Sequence, residues 1–181
     1  MAIEVTFTLS DTDLEHFRKL MKAAHEKADK LSADDIRKTT EATIASMSAQ
    51  DIPEFVTERV AKLKELVDML DDEQWQLPEE SRQEVLTSLS YFCEPDDLIP
   101  DHIPGLGYLD DAIMIELVVN DLADEIATYR QFCEFRKQQN ISPSADVSND
   151  TGVTSKRHEL HSRLRERRNE RRSRRVFSRI F

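Results

Sequence analysis

The chain has 181 residues; 34% are charged, 39% are apolar and only 3 are glycine. So few glycines argue against β-sandwiches, barrels and doubly wound nucleotide folds, and the apolar share argues against disorder throughout. The net charge of −11 hides an asymmetry: residues 1–140 hold 14 basic and 31 acidic side chains, whereas residues 156–181 hold 11 basic and 3 acidic.

Ile3, Val5, Phe7 and Leu9 alternate with Glu4, Thr6 and Thr8. That period of two predicts one short N-terminal strand. A lone strand leaves its backbone groups unpaired; pairing across a homodimer axis, the favoured reading, would satisfy them, as would packing flat on the helices. Ser10 or Asp11 then caps a helix to about Leu31, with Leu14, Phe17 and Met21 on one face. Ser32, followed by Asp34 and Asp35, caps a second helix running to about Ala49. Pro53 opens a third, whose Val56, Val60, Leu63, Val67 and Leu70 form the cleanest amphipathic stripe in the chain. Asp71, Asp72 and Glu73, like Glu79 and Glu80, read as helix-start acids and solvated charge. Leu77-Pro78 starts a fourth helix with Val85, Leu89, Phe92 and Cys93 on its face, stopped by Pro95. Beyond a turn-rich stretch, Ile115, Val119, Leu122, Ile126, Tyr129 and Cys133 predict one long fifth helix to about Gln139. Residues 140–155, with Ser142, Pro143, Ser144, Ser148 and Gly152, read as a flexible linker. Residues 156–181 read as an Arg-rich helix or tail.

The expected architecture is therefore all-α. A bundle of about five helices fills an acidic domain over 1–139, with one short strand, a linker over 140–155 and a basic C-terminal helix over 156–181. No apolar run approaches the roughly 20 residues of a bilayer span. The opening residues have neither a basic region nor a long apolar stretch, so no signal peptide is expected. Cys93 and Cys133 lie in apolar helical patterns without CxxC spacing, and buried free thiols in a reducing cytoplasm are expected.

The turn-rich stretch reads Glu94-Pro95-Asp96-Asp97-Leu98-Ile99-Pro100-Asp101-His102-Ile103-Pro104-Gly105-Leu106-Gly107-Tyr108-Leu109-Asp110-Asp111. Its Pro95-x-Asp97-Leu98-Ile99-Pro100-Asp101 and Pro104-x-x-Gly107-x-x-Asp110-Asp111, followed by an apolar helix, resemble the YkvA-like family, a bacterial domain of unknown function. The resemblance covers about residues 89–135 and implies kinship without an established activity. Some members carry membrane-embedded segments after the Asp pair; here Glu116, Asn120, Asp121, Asp124 and Glu125 break up that run.

Two readings of the stretch stay open. Asp97, Asp101, Asp110 and Asp111 are candidate ligands for a divalent metal, which would make the protein a metal-dependent hydrolase. Alternatively Pro95, Pro100, Pro104, Gly105 and Gly107 shape a structural corner whose acids cap helices, with no cofactor. No P-loop, GxGxxG, GxSxG or HExxH occurs, and no catalytic residue is assigned.

Arg163, Arg165, Arg167, Arg168, Arg171, Arg172, Arg174, Arg175 and Arg179 fall within 17 residues. Guanidinium forks match phosphate oxygens. The expected function is a non-enzymatic binding or adaptor protein whose basic end engages RNA or another polyanion. An acidic protein surface, the chain's own body and an anionic membrane surface are the alternative partners. The last would make the protein cytoplasmic yet peripheral at the membrane.

Overall fold

Most helices begin at a capping side chain or just after a proline. The structure, a computed structural model, describes residues 8–28, 31–50, 52–93 and 108–180, excluding the side chains of 24, 25, 27, 28, 172 and 174–180. Helix α1 (Asp11–Ala28) follows Ser10, whose hydroxyl and backbone N–H both donate to Asp13 Oδ2, at 2.7 and 2.8 Å. Ser32 opens α2 (Ala33–Ser48) with a full capping box: Asp35 N–H donates to the Ser32 hydroxyl and the Ser32 N–H donates to the Asp35 carboxylate. Pro53 and Pro78 precede α3 (Glu54–Asp71) and α4 (Glu79–Leu89), where a missing N–H costs nothing. A 3-10 turn (Ser90–Cys93) ends α4. Helices α5 (Leu109–Asp121), α6 (Ala123–Gln138) and α7 (Thr151–Ile180) complete the described residues.

The stripe on α3 is buried throughout and is joined in the core by Leu66 and Met69. α3 packs between α2 and α5, α1 lies across α4 and the 3-10 turn, and α7 packs along α6. Trp75, Val85, Leu89, Met114, Ile115, Phe132 and Leu160 are all completely buried. Side chains of this size contribute about 1.5–3 kcal/mol each on full burial.

The turn after α3 ties the two halves of the bundle together. The Asp72 side chain is only 5% exposed and accepts from the backbone N–H groups of Gln74 and Trp75, both at 3.0 Å. Its other oxygen meets Arg136 Nη2 at 2.7 Å and the Tyr129 hydroxyl at 3.0 Å. Burial and the adjacent carboxylate push the Tyr129 phenol up. Gln74 passes the connection on, donating to the carbonyls of Ser142 and Ala145 (2.8 Å each) and accepting from Arg136 (3.1 Å). Arg157 of α7 donates to the Gln74 carbonyl at 3.1 Å.

These contacts correct several expectations. The acid at 72 is a buried hub, because a carboxylate at the end of α3 can accept from two turn amides and a guanidinium at once. Residues 140–150 are not a free linker. Asn140 takes φ 55, Ile141 N–H donates to the Arg136 carbonyl, and Asn140 N–H donates to the Lys137 carbonyl, so a Schellman turn ends α6. Asp150 Oδ1 then accepts from the N–H groups of Gly152 and Val153, at 2.8 and 3.0 Å, and starts α7 at Thr151 rather than near residue 156.

The long fifth helix is two. At Leu122 the backbone leaves helical geometry (φ −101, ψ 19), which lets α5 pack on α3 while α6 packs on α7. Among the described residues, the bundle through residue 138 thus has six α-helices. The described residues include no strand; Ile3, Val5 and Phe7 of the expected strand lie outside them, and Thr8 and Leu9 are irregular. Cys93 and Cys133 are half-buried rather than buried. No helix among the described residues is long and apolar enough to cross a membrane.

Two outcomes test this packing. Leu164→Ala should cost about 2–5 kcal/mol in urea unfolding, as for a core leucine, whereas a solvated tail would lose almost nothing. His161 sits edge-on to Trp75, with ring centroids 4.5 Å apart; burial, then the Arg157 charge, lower its pKa to about 4. The folded state therefore binds this proton less readily than the unfolded chain. Its contribution to stability is whole above about 6.5 and is lost as pH falls toward about 4. The half-buried ring keeps some solvent, so the loss is about 1–2 kcal/mol. Urea midpoints across that window should show it, and His161→Gln should flatten the slope.

Candidate polyanion interface

One side of α7 is set by spacing: Val153, Leu160, Leu164 and Arg168 recur at seven, four and four residues and are all buried. That apolar side seats the helix, and its arginines divide accordingly. Arg168 is only 5% exposed. It donates to Glu80 at 3.0 Å, the Ser81 hydroxyl at 2.8 Å, Glu84 at 2.9 Å and Glu125 at 3.3 Å. Arg171 reaches Glu125 and Asp124, each at 3.2 Å, and the carbonyl of Asp121 at 3.3 Å. Arg167 meets Asp124 at 3.5 Å.

Glu125 is fully buried, so an opposite charge beside it is a condition of folding. The acids of α4 and α6 thus meet the arginines of α7 inside the molecule. Arg168, Arg167 and Arg171, expected on a polyanion, are instead matched by the body. The run of arginines reads as a tail in sequence because the partner acids lie more than forty residues away. Glu80, expected to be a helix-start acid, is also an ion-pair partner of this lock.

The rest of the arginine set behaves differently. Arg163 pairs with Glu159 one turn earlier, and Arg165 is exposed, 3.3 Å from the Ser162 hydroxyl. The side chains of Arg172, Arg174, Arg175 and Arg179 lie outside the described residues, but the helix that carries them continues to Ile180. Residues 171–181 hold five arginines and no acid.

Of the turn-rich stretch, Asp97, Asp101, Pro95, Pro100, Pro104, Gly105 and Gly107 lie outside the described residues. Asp110 and Asp111 sit in the first turn of α5, where negative charge favours the positive helix end, and Asp110 is buried. Among the described residues no group of three or more His, Cys, Asp or Glu side chains is placed to hold a metal ion. A cleft beside the Asp72 hub is lined by Glu65, Asp68, Arg130, Cys133 and Arg136. Several of its charges are paired: Arg130 grips Glu65 through two bonds of 2.7 and 2.6 Å, Lys64 meets Asp68, and Arg136 meets Asp72.

Arg168→Ala should destabilise the fold by about 1–3 kcal/mol, read as a lowered urea midpoint, because it removes a buried cation with its four side-chain partners and leaves Glu125 only the half-buried Arg171. Adding Glu125→Gln should recover part of that loss by removing the under-matched charge.

No curated protein and no solved structure matches the chain. Residues 84–117, from within α4 through the turn-rich stretch into α5, match a family described as "Protein of unknown function (DUF1232)".

Proposed function

We propose that this chain is a non-enzymatic binding or adaptor protein, built around a YkvA-like segment, in which the distal end of α7 engages RNA or another phosphate-rich polyanion. The observation that carries this reading is the charge of residues 171–181, five arginines without an acid, on a helix whose earlier turns are held by Leu160, Leu164 and Arg168. A helix seated this way ends in a cationic run on an otherwise acidic molecule. Arginine suits the task, since it stays charged and its fork matches phosphate oxygens in pairs.

The proximal half of α7 is reserved for the fold. Deleting residues 156–181 would remove buried Leu160 and Leu164 along with the charge, so point changes are the proper test. Binding of single-stranded RNA should be followed across a salt series for the full chain and for the variant Arg172→Gln/Arg174→Gln/Arg175→Gln/Arg179→Gln. Each phosphate contact contributes about 0.7 to the log–log salt slope on single strands, so loss of four should flatten it by about 3. An unchanged slope and affinity would refute the reading.

A further inference from the structure

Helix α1 is fastened differently from the rest. Each of α2 to α7 buries side chains in the core. None of the described side chains of α1 is buried. Leu14, Phe17 and Met21, at i, i+3 and i+7 on one face, lie half-buried against the core cluster. The polar contacts of the described α1 side chains are local: Ser10 with Asp13 at the cap, and Lys22 with Glu26 one turn apart. The helix rests on α4 and the 3-10 turn, which bury Leu89 and Phe92.

An element held by half-buried apolar contacts opens at lower cost than one whose side chains build the core. The connection behind α1 is short, since α1 ends at Ala28 and α2 begins at Ala33. Leu31, in that connection, is 42% exposed; among the described residues the other large apolar side chain so exposed is Phe55, at 37%. A short connection between helices calls for small or polar side chains, so packing within one copy gives no reason for Leu31.

We infer that α1 is an exchangeable helix, which leaves its own bundle and docks on the same surface of a second copy to give a two-fold dimer. The surface of α4 and the 3-10 turn already takes this helix, so the contacts made on exchange repeat those given up. What the dimer must offset is the loss of the tether, and a short tether holds α1 at a local concentration on the order of millimolar. Two-fold symmetry brings the two connections together, and there Leu31 of each copy covers the other. That apolar contact exists in the dimer alone and favours it. The inference stands apart from the polyanion reading. It gives the homodimer expected from the sequence a route through α1, whereas most of the expected strand lies outside the described residues.

The test uses the full chain. Hydrogen exchange should show the α1 amides protected on the order of a hundredfold less than those of α3, through an opening that urea hardly promotes. Light scattering should show a dimer that grows as the protein approaches about 1 mM. Leu14→Glu/Phe17→Glu should abolish that dimer while α3 keeps its protection. Leu31→Asp should weaken the dimer at least about fivefold and leave the protection of α1 in the monomer unchanged. Deleting residues 29 and 30 should raise the dimer fraction, because a helix that can no longer fold back still reaches a second copy. A full chain that stays monomeric at about 1 mM would overturn the inference, as would α1 amides that exchange only with global unfolding. A dimer that survives Leu14→Glu/Phe17→Glu would overturn it by placing the contact elsewhere. A dimer that weakens when the connection is shortened would overturn it by showing that α1 does not change copies.

Discussion

The bundle depends on one buried ion pair, Asp72 with Arg136. Two charges taken out of water are tolerable only when geometry and further hydrogen bonds satisfy the remaining lone pairs and protons. Here they do: Asp72 accepts from two turn amides and the Tyr129 hydroxyl besides the guanidinium, and Arg136 also donates to Gln74. The pair joins the end of α3 to the end of α6. Through Gln74 it fixes the connection over 142–145 and, through Arg157, the start of α7. Where α7 lies is decided at this turn, some eighty residues earlier in the chain.

A second charge cluster, at the other end of the α6–α7 pair, completes the seat. Glu80, Glu84, Asp124 and Glu125 gather around Arg167, Arg168 and Arg171. The acidic body and the basic helix are thus complementary parts of one fold rather than two electrically independent pieces. Beyond this cluster the sequence of the helix is cationic, with five arginines and no acid over residues 171–181. The segment matched to the family of unknown function, residues 84–117, supplies Glu84 and leads into α5, so it contributes to the seat as well.

Local chemistry was readable where it acts over one turn of helix. The Ser32 capping box, the prolines before α3 and α4 and the buried stripe on α3 depend on residues within a few positions of one another. Features that depend on distant partners were not readable. Asp72 looks like its solvated neighbours Asp71 and Glu73 until Arg136 and Tyr129 are brought to it. Leu122 continues a clean helical period, and only the different packing partners of α5 and α6 give a reason for the break. Asp150 was within reach of local reasoning, since an Asp two residues before a Gly-Val pair is a good helix start. The Ser- and Pro-rich composition around it obscured that signal.

The sequence by itself determined the helical class, most helix starts, the absence of a long apolar span and the segregation of charge along the chain. These follow from capping, side-chain period and composition, which act locally or add up without regard to position. Only the tertiary structure decided which charges remain available. Arg168 and Arg165 are three residues apart on one helix, yet one is locked among four partners and the other is exposed. Coulomb energy and desolvation depend on distance and burial in space, and neither can be counted along a chain.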